Sequence, residues 1–508
     1  MRLDLPRPAS ADVLAGASVA LVLIPQSLAY AELAGLPPFI GLFASAFPLL
    51  AFSLFASSPY LQTGPTAVMS LLTFAALPND DPAQLPKLAA LLAIMVGCFR
   101  LLFGAARIGV LVRLIALPVV TGFTSGAAIL IISSQLPRSL GVSSGDDGVI
   151  SEAVSAILAP SDWRLDSIVL AVITVVLFLG GRRLHPLFPG VLVAVVVGIV
   201  WSRVGDYDGP VVAEVPEGLP PFSLDLPWGE IPTLLLGALV ISLIGFAEPV
   251  SIARTFANEE GERWDANREF MASGVANAVS AVAGGYPVGG SFSRSSVNKL
   301  AGATTRWAGG VTGLVVLAFL PFAGVLEPLP RAVLGAIVLG AVWSLVRPRR
   351  LLGLWRRSRR QATLAWIVFG ATLAVAPRVE LAVLLGVFVT LALHIRAGLR
   401  VGHEMARDRV VVRPVGLLWF GSDAAFAREL DIAVDQAIAL GVDVQVDLSR
   451  QAFVDDATIV AMRSAAERLA EHDRKLSWFD PPGGTERLLA SLAADTGTDP
   501  AAGSGEAE

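Results

Sequence analysis

Charged residues, histidine and cysteine are all scarce in this chain of 508 residues. Asp, Glu, Lys and Arg make up 16% of it, whereas 54% of its residues are hydrophobic; soluble globular proteins carry about 25% charged residues. The single cysteine, Cys98, excludes an internal disulfide, and the four histidines are scattered along the chain. The composition therefore excludes an ordinary soluble protein and gives no sign of a metal cluster.

Sequence motifs of enzymes are also lacking. The chain contains no HExxH zinc motif, no Walker phosphate loop and no nucleophile elbow. We therefore expect no enzyme activity, no cofactor and no nucleic-acid partner. The lack of an ATPase motif also argues against transport driven directly by ATP.

Long apolar runs, by contrast, recur from Val13 to Arg396, which is typical of a polytopic α-helical membrane protein in a lipid bilayer. The first run has no clear cleavage site, so we expect it to be retained. We assign residues 1–400 to a transmembrane transport domain. Its fourteen predicted transmembrane segments lie near 12–34, 39–56, 63–77, 88–106, 110–136, 166–181, 187–203, 231–256, 268–284, 289–302, 306–326, 331–346, 361–376 and 380–399.

Loop charge predicts the orientation, because basic residues collect on the cytoplasmic side of a membrane. The basic connections contain Arg100, Arg107 and Arg113, then residues 181–186, then residues 347–360. The acidic connections, on the opposite side of the count, are residues 79–84, 143–148 and 206–218. This alternation predicts a multi-pass protein of the cell membrane with both termini in the cytoplasm.

The pattern changes after about Arg409. Residues 410–421 read as two short strands, 442–454 as a strand with a loop and 476–480 as another strand. Helical spacing occupies residues 425–440, 456–475 and 485–492. Alternating strands and helices predict a small α/β domain over 409–492. Residues 493–508 are rich in alanine, glycine and acid, which predicts a disordered tail.

Two early segments resemble two later ones at nearly the same offset. IPQSLAYA (24–31) resembles EPVSIART (248–255), and TGPTAVMS (63–70) resembles GGSFSRSS (289–296). Seven predicted spans separate the members of each pair, and an odd number reverses orientation. We therefore predict a 7+7 inverted repeat, with repeat one at about 12–203 and repeat two at about 231–399. Inverted repeats with interrupted helices are typical of secondary transporters.

The stretch YPVGGSFSRSSVNKL (286–300) places glycines, serines and Arg294 between apolar segments. We expect YPVGG to be extended and SFSRSSVNKL to form a short helix that starts inside the membrane. TGPTAVMSLL (63–72) would do the same in the first repeat, with Pro65 in the first helical turn. Unpaired N–H groups and the helix dipole make such N-terminal ends attractive to anions. The alternative is an extramembrane hairpin with a solvated Arg294.

The longest of these segments resemble the SulP family of anion transporters, which includes sulfate permeases and bicarbonate transporters. They are IPQSLAYAELAGLPPFIGLF (24–43), GPTAVMS (64–70), GFAEPVSIARTFA (245–257) and YPVGGSFSRSSVNKLAGATT (286–305). The C-terminal region resembles a STAS domain. The resemblance covers almost the whole chain, in the domain order of the family.

Membership implies a core domain of spans 1–4 and 8–11, a gate domain of spans 5–7 and 12–14, and a homodimer. It places the anion between spans 3 and 10, with spans 1 and 8 as walls. The residues that match the anion site are Gln26, Tyr30, Pro65, Thr66, Phe292, Ser293 and Arg294. Glu248, in span 8, matches an acidic position of coupled family members.

Glu248 lies in the apolar run ISLIGFAEPVSIA (241–253) and is the predicted coupling residue. An anion beside Arg294 would offset the charge that keeps Glu248 ionised, so anion and proton would bind together. A structural pair with Arg294 or a helix-end role before Pro249 are the alternatives. We predict a secondary active transporter of sulfate, bicarbonate or small dicarboxylates, coupled to protons. A passive anion channel or exchanger of the same fold is the alternative function.

Overall fold

The chain folds into two compact units, Met1–Phe388 and Val389–Glu508. The computed structural model describes residues 7–78, 81–106, 117–142, 148–185, 187–205, 207–260, 264–343, 345–346, 348–357, 359–397, 400–406, 408–415, 423–449, 451, 456–479, 489 and 492. Helices dominate the first unit, and a four-stranded sheet with helices forms the second.

The helices of the first unit form two consecutive series along the chain. The first series is α1 (Ser10–Leu33), α2 (Ile40–Phe55), α3 (Ala67–Ala76), α4 (Leu85–Ala105), α5 (Leu117–Leu140), α6 (Val149–Leu158), α7 (Leu165–Leu184) and α8 (Gly190–Val204). The second is α9 (Ile231–Glu260), α10 (Ala266–Val282), α11 (Phe292–Leu300), α12 (Trp307–Phe319), α13 (Arg331–Val342), α14 (Pro348–Arg357), α15 (Arg359–Ala374) and α16 (Val379–Ala397).

By length and composition, five helical stretches of the described residues could cross a membrane. They are Ser10–Leu33, Leu85–Ala105, Pro118–Leu140, Trp228–Ala257 and Trp307–Leu326, and shorter apolar helices accompany them. Two helices fall where the sequence count had placed connections. The first, α6, is too short for a span, and the second, α14, is the basic stretch before α15.

The prediction that Arg100 lies in a basic connection is wrong. Arg100 does not lie in a loop: α4 continues to Ala105, and the Arg100 side chain is fully buried inside the first unit. The reason is local, since the guanidinium finds hydrogen-bond acceptors on neighbouring helices that a sequence count cannot see. Arg107 and Arg113 lie outside the described residues.

Both predicted interrupted helices are present. A two-residue strand, β1 (Thr63–Gly64), precedes α3, and a second, β2 (Gly289–Gly290), precedes α11. The strands pair antiparallel, with Thr63 opposite Gly290 and Gly64 opposite Gly289. Because the paired strands run in opposite directions, α3 and α11 begin close together and extend away from each other. The extramembrane-hairpin alternative for 286–300 is wrong, because this segment is buried within the helical unit.

The second unit is a mixed sheet with strand order β3 (Arg400–Met405), β4 (Arg409–Val415), β5 (Asp443–Asp447) and β6 (Leu476–Phe479). Strands β3 and β4 are antiparallel, and the other neighbours are parallel. Helices α17 (Asp423–Leu440) and α18 (Asp456–Ala470) bury apolar side chains against it, including Phe426 and Met462.

The sheet begins earlier than the sequence pattern indicated. Strand β3 precedes residue 409, and the polar, glycine-containing RVGHEM lacks the apolar alternation that marks a half-buried strand. Residues 410–421 were expected to hold two strands. The described part of this range, residues 410–415, belongs to the single strand β4. Residues 416–421 lie outside the described residues, as do most of 485–492 and all of 493–508.

Candidate functional site

The site begins at the N-terminal end of α3. Thr66 is its N-cap residue, with an extended backbone, and the Thr66 hydroxyl accepts a hydrogen bond of 3.3 Å from the Met69 N–H. Pro65 therefore lies one residue before the cap and not in the first helical turn, as the sequence had suggested. The strand β1 ends at Gly64, so Pro65 links it to the extended cap residue Thr66 and the helix starts only at Ala67. The N–H groups of Ala67 and Val68 have no acceptor within the helix.

The second half of the site is the N-terminal end of α11. Ser291 is the N-cap residue with an extended backbone, and the first helical bond runs from the Ser295 N–H to the Ser291 carbonyl. The N–H groups of the first turn, including those of Phe292 and Ser293, thus lack intrahelical acceptors. Two positive helix ends converge on the β1–β2 pair.

Arg294 lies in the first turn of α11 and is 1% exposed. None of its three guanidinium nitrogens has a hydrogen-bond partner among the described residues. Its Nη2 atom is 3.5 Å from where a Cβ on Gly64 would be, so the side chain reaches the β1 segment that precedes α3. Gly64 has a φ of 140°, which favours glycine. Most buried polar groups are hydrogen-bonded, so an unsatisfied arginine requires an explanation.

Two buried amides accompany the arginine. Neither side-chain polar atom of Gln26, in α1, or of Gln62, just before β1, has a hydrogen-bond partner within the described part of the chain. The backbone of Gln62 is held firmly, because its N–H donates to Ser295 Oγ and its carbonyl accepts from the Ser291 N–H, each at 3.0 Å. The backbone of Gln62 is thus fixed between the two halves. Its side-chain amide, whose Nε2 atom is 3.7 Å from where a Cβ on Gly309 of α12 would be, leaves its donors and acceptor unused.

Tyr30 and Glu248 face the same arginine from the two walls. Tyr30 of α1 is buried, and both residues interact electrostatically with Arg294. Glu248 is half-buried and not fully buried, as its apolar sequence context had suggested. The difference arises because α9 turns this side chain away from its packed face, where Phe246 is fully buried.

Phe292 and Ser293 contribute less directly. The Phe292 side chain is 50% exposed and stacks on Phe256 of α9, with ring centroids 6.3 Å apart. The Ser293 hydroxyl lies 3.3 Å from the Ser291 hydroxyl. For both residues the backbone N–H at the start of α11, which has no intrahelical acceptor, is the group available to an anion.

Sequence reasoning missed three residues of this neighbourhood. Gln62 directly precedes the recognised TGPTAVMS segment and carries no signal of its own. Tyr286 was read only as part of the extended stretch, although its hydroxyl is 3.0 Å from that of Ser70 in α3. Arg100 was assigned to a loop. Only the tertiary contacts reveal these residues.

The model of the sulfate permease family matches residues 10–369. The chain belongs to the sulfate permease family. It is 31% identical to probable sulfate transporter 4.2 of Arabidopsis thaliana over 95% of this chain and 77% of the relative. Members of this family are transporters, which confirms the prediction of a non-enzymatic, multi-pass anion transporter from the sequence.

Solved structures show the same fold. The murine Solute Carrier 26 family member A9 anion transporter superimposes with a TM-score of 0.72 at 19% identity, over 95% of this chain and 87% of that one. The transmembrane domain of the cyanobacterium bicarbonate transporter BicA gives a TM-score of 0.64 at 23% identity, over 75% of this permease and 97% of that domain. At these identities the likeness concerns the fold alone.

Proposed function

We propose that this protein is a secondary active transporter that holds a small anion between the N-terminal ends of α3 and α11. The observation that carries the proposal is Arg294, a buried arginine without hydrogen-bond partners among the described residues, placed where two positive helix ends converge. The arginine and the N–H groups of both helix ends act as donors. Gln26, Tyr30 and Thr66 line the same space, and Pro65 shapes the entry to α3.

Helix packing supports a division into a core domain and a gate domain. Within the proposed core, α4 packs against α10 and α2 against α12. Within the proposed gate, α5 packs against α15 and α13, and α13 packs against α7. The fourteen-span inverted repeat would place α1–α4 and α9–α12 in the core, with α5, α7, α8, α13, α15 and α16 in the gate.

A cavity supports access from one side. It lies between α1 and α11 of the core and the α7–α8 region of the gate, and its lining includes Ser18, Val22, Phe178, Pro189 and Val297. The basic 181–186 connection favours a cytoplasmic location for this side. The murine structure that shares this fold is of an inward-facing state, and an inward-facing state of this chain fits the same cavity. Movement of the core against the gate would then expose the anion on either side in turn.

Proton coupling is proposed for Glu248. Its carboxylate interacts electrostatically with Arg294, and its partial exposure gives protons a route to it. An anion that neutralises the arginine favours the neutral form of Glu248, so each ligand promotes the binding of the other. The cytoplasmic termini, the homodimer and the STAS identity of the second unit belong to the same proposal.

An uptake screen tests this function. Purified protein in liposomes would be offered labelled sulfate, bicarbonate, chloride or a small dicarboxylate, with and without an acidic exterior. We expect at least one anion to be concentrated only when the exterior is acidic. Uptake that never exceeds the anion gradient would instead assign a channel or an exchanger.

The variant Glu248→Gln separates coupling from binding. Because glutamine mimics the protonated carboxyl group, we expect anion exchange to persist while accumulation driven by the proton gradient is lost. Counterflow and gradient-driven uptake measured on the same liposomes check this. Undiminished accumulation by the glutamine variant would mean that Glu248 is not the coupling residue.

A further inference from the structure

A second buried arginine stands next to the candidate anion site. Arg100 of α4 is 0% exposed. Its Nη1 atom donates to Ser273 Oγ at 2.7 Å and to the Val288 carbonyl at 2.9 Å, and its Nη2 atom donates to the Ile241 carbonyl at 3.2 Å. These contacts tie α4 to α9, α10 and the residue immediately before β2.

The contact with Val288 fixes the chain where it enters β2. Asn277 of α10 makes two hydrogen bonds to the same residue. Its side-chain amide N–H donates to the Val288 carbonyl at 3.1 Å, and its side-chain oxygen accepts from the Val288 N–H at 2.9 Å. Arg100 and Asn277 therefore share one carbonyl. The position of β2, and through it the start of α11, depends on this pair of donors.

Arg100 also approaches the start of α3. Its Nη2 atom is 3.9 Å from Met69 Sδ, and Met69 is the residue whose N–H is capped by Thr66. Gly245 of α9 permits this approach, since a Cβ there would lie 2.7 Å from Arg100 Nη2 and 2.3 Å from Met69 Sδ. The guanidinium thus contacts the segments that lead into both positive helix ends.

No carboxylate among the described residues balances this charge; the neighbours of Arg100 are carbonyls, a hydroxyl and a thioether. These contacts occupy its Nη1 and Nη2 atoms, while its Nε atom has no hydrogen-bond partner among the described residues, and none of them neutralises its charge. Placing a charged arginine inside a membrane protein is unfavourable, so such a residue is a functional candidate by default. In a poorly solvated interior its charge acts over a longer range than in water.

We propose that Arg100 is a positioning and specificity-determining residue, which holds the β2 entry in place and supplies a second fixed positive charge that favours divalent over monovalent anions. This inference rests on the proposed anion site between α3 and α11. In this proposal Arg294 contacts the anion directly, whereas Arg100 does not contact it and attracts it through its positive charge. Two positive charges offset a divalent anion, whereas a monovalent anion gains less from the second charge.

The test compares Arg100→Gln and Arg100→Lys in liposomes, using half-saturation concentrations for labelled sulfate and chloride. Loss of the charge in Arg100→Gln should weaken sulfate at least about tenfold more than chloride. Arg100→Lys keeps the charge and should restore most of the sulfate preference, even if the maximal rate falls. Ser273→Ala is the matched control, because it removes one hydrogen bond of Arg100 and leaves the charge; the sulfate-to-chloride ratio should not change.

Equal weakening of sulfate and chloride by Arg100→Gln would overturn the inference, since a purely structural role affects both anions alike. The inference would also be overturned if Arg100→Lys did not keep the sulfate-to-chloride ratio of the parent protein. If Arg100→Gln does not fold, the lysine variant alone provides the test. Arg294→Gln separates the two proposals. If it leaves the binding of both anions unchanged, the anion site itself is wrong; if it abolishes binding while Arg100→Gln leaves the ratio unchanged, only the role of Arg100 is wrong.

Discussion

Buried polar groups without partners identify the candidate site at the scale of single residues. Arg294, Gln26 and Gln62 all hold such groups among the described residues. An unsatisfied buried donor or acceptor is unfavourable by roughly 1–3 kcal/mol, so each of these side chains calls for a compensating interaction. An anion accepts hydrogen bonds from guanidinium and amide N–H groups, so an anion at the proposed site would satisfy the donors of Arg294.

Sequence patterns found only part of this site. Arg294 could be predicted because it interrupts an apolar stretch that has a counterpart in the first repeat. Arg100 could not, because an arginine near the end of an apolar run looks the same whether it enters a loop or turns inward. Its partner Val288 lies 188 residues away along the chain, and no local pattern carries such information.

Thr66 gives a prediction at this scale. Its hydroxyl caps the Met69 N–H, so Thr66→Ala should destabilise the protein by about 1 kcal/mol and weaken anion affinity. Thr66→Ser retains the cap and should behave nearly as the parent protein does. Thermal unfolding with and without sulfate measures both effects. An alanine variant with full affinity would show that the α3 end does not contribute to binding.

At the scale of secondary structure, interrupted helices explain how a polar site exists inside an apolar unit. The pairing of β1 with β2 satisfies backbone groups that would otherwise be unpaired in the membrane. The apolar helices were predictable from composition, and α3 and α11 from the repeated motif. The sequence did not predict three other elements, α6, α14 and β3. They are short amphipathic or polar segments, which lack the length or the alternation on which the predictions relied.

The contact between α1 and α2 gives a prediction for this scale. A Cβ on Gly41 would lie 1.8 Å from the Ser27 carbonyl oxygen, beside the wall that carries Gln26. Gly41→Ala should therefore separate the two helices, lower the thermal stability and reduce uptake. Gly370→Ala is the matched control, because a Cβ there meets no atom within 4 Å and alanine favours helix by about 0.5–1 kcal/mol. Equal stability of the two variants would contradict the close helix contact.

At the scale of the whole molecule, the chain combines a helical membrane unit with a compact α/β unit. The membrane class followed from composition alone. The orientation remains a prediction, and the basic-residue count that supports it is weaker without Arg100, although the connections at 181–186 and 347–360 still favour it.

Cysteine labelling tests the orientation directly, because Cys98→Ser leaves a chain without cysteine. Ser161→Cys, in the exposed α6–α7 connection, should react with an impermeant maleimide in intact cells. Asp473→Cys, exposed in the α/β unit, should react only after the membrane is permeabilised. The reverse pattern would invert the proposed topology.

The most direct test of the proposed anion site is equilibrium binding of labelled sulfate to purified Arg294→Gln. We expect at least about a tenfold loss of affinity, because a charge-assisted hydrogen bond to a buried anion is removed. Arg306→Gln serves as the control: this arginine is also buried but donates to the Ala56 carbonyl at 2.8 Å, so its loss should leave sulfate affinity unchanged. Sulfate binding of parental affinity by a folded Arg294→Gln protein would contradict the claim that the anion is held at the ends of α3 and α11.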